Sequence, residues 1–142
     1  MPRDSYLESR ILSADSVELI HLLYEHTLTQ VRAARSAIAA NDVPSRSEAI
    51  CKALAAIGEL ESSLDHNAGG AISRNLARLY RYMRKRLTDA NVKREQGALA
   101  EVESLIRTLD EGWTAMQHAA APRPAPAHFQ EAAETMEHTW SA

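Results

Sequence analysis

NLARLYRYMRKRLTDAN, residues 75–91, carries two periodic patterns at once. Extended back to Ile72, the first runs through Leu76, Leu79, Met83, Leu87 and Ala90, at the three- and four-residue spacing that lines up side chains on one face of a helix. That face predicts a packing seam. The second pattern, Arg74, Arg78, Arg81 and Lys85, falls on the opposite side and has a single charge sign, which predicts a solvated face. Tyr80 and Tyr82 stand beside the two stripes, where an aromatic ring with a polar tip suits a boundary between core and partner.

Outward from this segment the composition is that of helices. Aromatic residues make up 5% of the 142-residue chain, and it contains 5 glycines and 5 prolines. This predicts an all-α single domain with room for a core that needs no disulfide or metal. The single Cys51 cannot pair internally, and no leader or long apolar run is visible, so a cytoplasmic protein without membrane insertion is expected. Charge is uneven: residues 71–94 hold eight Lys/Arg and one Asp, a balance of +7, while the chain totals -3, leaving -10 elsewhere. Acidic surroundings of that size argue against a nucleic-acid partner.

In chain order, residues 1–14 read as an N-terminal arm around Tyr6, Leu7, Ile11 and Leu12. Asp15 and Glu18 have capping-box spacing, which predicts a first helix from Ser16 to Ala40 with a seam of Ile20, Tyr24, Thr27, Val31, Ala34 and Ile38. Leu19, Leu22, Leu23 and Leu28 widen its apolar arc beyond one seam. Asn41-Asp42 breaks the pattern, and Pro44 with Ser45-x-x-Glu48 predicts a second helix to Asp65 whose seam is Ile50, Leu54, Ile57, Leu60 and Leu64. Gly69-Gly70 predicts a turn with positive φ. A fourth helix is predicted from Leu99, Val102, Ile106, Leu109, Trp113 and Met116, giving an antiparallel up-down four-helix bundle over residues 15–120. The Pro/Ala-rich segment after it predicts a flexible C-terminal tail over 121–142, whose Phe129, Ala133, Met136 and Trp140 have the spacing of a short amphipathic helix able to fold back as a gate.

Catalytic chemistry is hard to place on this pattern. Glu18-x-x-His21 is the half-motif of a di-iron bundle, but it occurs once, so a surface His-Glu pair is expected and no metal site. Cys51, near the core side of the second helix, is expected to be an inert buried thiol. No phosphate loop or dinucleotide fingerprint is present, and neither an enzyme nor a cofactor is expected.

Several motifs in fixed order are similar to those of the flagellin-specific export chaperone family known as FliS. They are Tyr6, Leu22-Leu23-Tyr24, Leu64-Asp65 with Gly69-Gly70, Asn75 to Met83, Arg86 to Asn91, and Glu101-Val102 with Trp113, together covering Tyr6 to about Met116. The resemblance implies a bundle that holds the C-terminal segment of flagellin, prevents premature polymerisation and delivers it to the flagellar export gate; a monomer or weak dimer is expected. Leu19, Leu22, Leu23, Tyr80, Tyr82 and Met83 are the expected groove residues, and Tyr6 the export-gate or arm contact. The chain departs from the family pattern with Glu25-His26 in place of Asp-Gly and with Arg81 in place of Asp between the two tyrosines. A regulatory adaptor for other flagellar proteins is the alternative.

Overall fold

A computed structural model describes residues 16–118. They form four helices: α1 (Ser16–Ala39), α2 (Val43–Ser62), α3 (His66–Lys93) and α4 (Gln96–His118), with no strand among the described residues. The expected N-terminal arm, with Tyr6, and the C-terminal tail lie outside them. α1 packs on α2 and α4, α2 on α3, and α3 on α4, closing a ring in sequence order. His21 meets Asp110 while Arg35 meets Gln96 and Glu103, so α1 and α4 run antiparallel. The fold is the expected up-down bundle.

The predicted seams fill its core. Leu76, Leu79, Met83, Leu87 and Ala90 of α3 are buried, as are Leu99, Val102, Ile106 and Leu109 of α4. Tyr24, Thr27, Val31 and Ala34 of α1 and Ile50, Ile57 and Leu60 of α2 are buried as well. Ala37 of α1 and Ala49, Ala53 and Ala56 of α2 are buried too, and α1 and α2 pack on each other. Alanines at a seam let two backbones approach closely, and a pattern search for large apolar residues passes over them.

The helix ends are set by specific caps. After α1, Asn41 adopts φ 54°, its N–H bonds the Ile38 carbonyl at 3.1 Å, and the Asp42 N–H bonds the Ala37 carbonyl at 2.9 Å. This pair of bonds around one left-handed residue is a Schellman stop, with Asn tolerating the conformation. The α2 start differs from expectation: Asp42, and not Ser45, is the cap, accepting from the Ser45 N–H at 3.2 Å and the Ser45 hydroxyl at 2.6 Å. Pro44 then lies in the first turn, where its missing N–H costs nothing.

The glycine pair supplies the predicted positive φ, at Gly70, but not at the predicted place. α2 ends at Ser62, not Asp65, and the glycines lie inside α3, one turn past its start. Gly70 takes φ 54°, ψ −128°, and kinks the helix there. Gly69 donates its N–H to the Asp65 carbonyl at 2.7 Å, and the same carbonyl accepts the Ser73 hydroxyl at 3.0 Å. A Cβ on Gly69 would overlap that hydroxyl. Each glycine therefore has its own reason: one for φ, one for space.

Candidate functional site

Because α1 and α3 begin at the end of the bundle where α2 and α4 finish, the topology gathers residues far apart in sequence. Leu19 and Ile20 of α1, Leu64 after α2, Ile72 of α3 and Trp113 of α4 are all half-buried hydrophobics packed on the edge of the core. Met116 is half-buried nearby in the last turns of α4. They make one apolar end. The opposite end carries Val43 and Val92, which are exposed.

The expected groove residues separate into two sets. Leu22, Leu23, Tyr80 and Met83 are buried, Met83 completely. Tyr80 is therefore a core residue and not a shoulder beside the basic stripe. Its hydroxyl lies 2.7 Å from that of Tyr24, spanning from α3 to α1 inside the bundle. Burial raises both phenols, that of Tyr80 to about 12 and that of Tyr24 well above its ordinary value. Leu19 and Tyr82 are the two expected groove residues that retain surface. Leu19 joins the apolar end; Tyr82 stands apart, on the α3–α4 flank.

That flank is built from polar contacts. The Tyr82 hydroxyl donates to Glu101 Oε1 at 2.7 Å, and the Arg86 Nε–H donates to the same oxygen at 2.9 Å. Burial and then the neighbouring Glu101 raise the Tyr82 phenol. Arg46 and Ser47 of α2 donate to Asn91 Oδ1 at 3.1 and 3.3 Å, tying α2 to α3. Tyr82, Arg86, Asn91 and Glu101 all belong to the motifs that identified the family resemblance. In this structure they act as interhelical fasteners.

The histidine expectation also changes partner. His21 places Nδ1 2.7 Å from Asp110 Oδ1 and Nε2 3.2 Å from Glu25 Oε1, bridging α1 to α4. The hydrogen bond to Asp110, opposed by desolvation, raises its pKa. No spacing rule connects residue 21 with residue 110. Cys51 is exposed, contrary to expectation, because the buried face of α2 is taken by Ala49, Ile50 and Ala53. Among the described residues, no three His, Cys, Asp or Glu side chains are grouped to hold a metal ion. No described helix is long and apolar enough to cross a membrane.

Arg74, Arg78, Arg81 and Lys85 are exposed as predicted. Arg81 and Arg84 share one carboxylate, Glu61 of α2, at 3.2 and 3.1 Å. Beside them a cleft of about 350 Å³ opens between α2 and α3, lined by Leu54, Arg81, Arg84, Lys85 and Thr88.

Residues 2–120 match the family described as Flagellar protein FliS. The chain is 35% identical over 112 residues to the flagellar secretion chaperone FliSB of Pseudomonas aeruginosa, covering 79% of this chain and 89% of that protein. It is 36% identical over 108 residues to the flagellar secretion chaperone FliS of Salmonella typhimurium, covering 75% and 80% respectively. Against the flagellar secretion chaperone FliS of Bacillus subtilis it is 33% identical over 112 residues, covering 79% and 83%.

Proposed function

Since the chain belongs to the FliS family of flagellar secretion chaperones, we propose that it is a cytoplasmic chaperone without enzymatic activity, holding the C-terminal segment of flagellin for export. The observation that carries this reading is the apolar end formed by Leu19, Ile20, Leu64, Ile72 and Trp113. An amphipathic helical segment that polymerises when free has an apolar face to cover, and half-buried side chains at converging helix ends offer matching surface. Leu22, Leu23, Tyr80 and Met83 form the rigid floor beneath, and Tyr82 extends the contact along the α3–α4 flank. Tyr6 is the proposed contact to the flagellar export gate. The mechanism is steric: groove contacts replace those the client would make in a filament. It needs no cofactor or metal.

Calorimetric titration of the full chain with a flagellin C-terminal peptide from the same organism tests this reading. One-to-one binding with a negative heat-capacity change is expected, as apolar surface leaves water. Leu19→Glu, which changes a half-buried position without opening the core, is expected to weaken binding at least ~10-fold, the equivalent of about 1.4 kcal/mol. Absence of binding by the full chain would refute the client assignment and favour an adaptor for other flagellar proteins.

A further inference from the structure

The α2–α3 cleft is electrically unbalanced. Arg81, Arg84 and Lys85 line it, and Arg81 and Arg84 are served by the single carboxylate of Glu61. Half-buried Leu54 gives it an apolar floor. A matching ligand is a helix with several carboxylates next to an apolar stripe.

This chain contains such a segment. Beyond α4, in residues outside the described ones, Glu131, Glu134 and Glu137 recur every three residues alongside Phe129, Ala133, Met136 and Trp140. On a helical projection the glutamates step away from the apolar stripe along one side, Glu137 nearest to it and Glu131 farthest from it, and the other side is neutral. As a helix, Glu131 to Glu137 would rise about 9 Å, against about 10 Å from Arg81 to Thr88 along α3. We propose that residues 129–140 dock in the cleft between α2 and α3, with the three glutamates against Arg81, Arg84 and Lys85.

The tether has the required length. Tyr82 and Arg86 meet Glu101, so the antiparallel register sets His118 about level with the start of α3. From there to Arg84 is about 27 Å along the axis. The path also crosses α3, one to two interhelical spacings of roughly 10 Å to the side, which makes it about 29–34 Å. The eleven steps from His118 to Phe129, through AAAPRPAPAH, reach about 34 Å in the extended conformation that proline favours. A linker that spans its sites makes docking intramolecular, so the ion pairs act at an effective concentration that separate chains would not supply. The docking site differs from the apolar end: charge directs the tail to the flank of the bundle and leaves the proposed client surface open.

Cys51 supplies the probe. It is the chain's single cysteine, exposed, and one helical turn before Leu54 on α2. A nitroxide attached there, in the full-length 15N-labelled chain, is expected to broaden the amide signals of residues 129–140. The broadening should be lost in the Glu131→Lys/Glu134→Lys/Glu137→Lys variant, which leaves the bundle untouched, and should fade at high salt. Tail signals unaffected by the nitroxide, or broadened equally in the triple variant, would overturn the proposal. So would broadening that appears only when 15N-labelled chains are mixed with spin-labelled unenriched ones, since the occupant would then be a second copy's tail.

Discussion

Replacing Tyr80 by Phe removes one oxygen from the middle of the bundle and leaves the Tyr24 hydroxyl without its partner. Tyr24 is 1% exposed and Tyr80 2%, and the two oxygens are 2.7 Å apart, so water cannot replace the lost bond without opening the core. An unsatisfied buried hydroxyl costs about 1–3 kcal/mol, and Tyr24→Phe should cost a similar amount for the same reason. The double variant behaves differently. With both hydroxyls gone, two rings of unchanged shape meet in an apolar interior, and the loss should be small. Urea denaturation followed by helical circular dichroism gives all three values, and a loss of 1 kcal/mol corresponds to a Tm drop of roughly 4–8 °C for a domain of this size. Burial pushes Tyr80 to about 12 and Tyr24 well upward, so both remain neutral and the cycle should not change between pH 6 and 9. Single-variant losses that add in the double variant to within about 0.5 kcal/mol would refute the argument, because partners in one bond must be coupled.

Three further outcomes are expected from local geometry. Gly70→Ala should destabilise by about 1–2 kcal/mol in thermal melts, because φ 54° is strained for alanine although a Cβ there meets nothing within 4 Å. Gly58→Ala, inside α2 and with equally open space, should stabilise by about 0.5–1 kcal/mol in the same assay. His21 has a raised folded pKa, so its stabilising contribution is complete below the ordinary value of 6.5 and is lost as pH rises through the folded value. Its side chain is 39% exposed, so the loss should stay below about 1 kcal/mol, and His21→Gln should flatten that part of the stability–pH curve.

How much of the molecule is legible in the sequence depends on distance along the chain. The seam from Ile72 to Ala90 and that from Leu99 to Met116 are readable because neighbours on a helix face are three or four residues apart. The α1–α2 seam is only half readable: Ala49, Ala53 and Ala56 pack because they are small, and their type does not announce burial. Cys51 shows the converse, an apolar-looking residue displaced to the surface by better-placed neighbours. The Tyr24–Tyr80 bond, the His21–Asp110 bridge and the shared Glu61 all join different helices. Periodicity fixes which face of each helix is buried, but not which residue stands opposite. The apolar end escapes a sequence reading for the same reason, since its members look like ordinary seam residues until topology brings four helix ends together. Motif similarity marks Tyr82, Arg86 and Asn91 without indicating that they fasten helices to one another.

The break at Gly70 has a consequence for how the bundle breathes. Gly70 takes a non-helical conformation inside α3, and the Asp65 carbonyl, which accepts from both Gly69 and Ser73, ties the turn at residues 66–69 to the helix beyond it. Such a turn is a separate opening unit of low cost, and its amides should exchange with solvent well before those of residues 76–90. Leu64 and Ile72 flank it on either side. Loosening of the turn should shift one wall of the apolar end and leave the packed layers below in register.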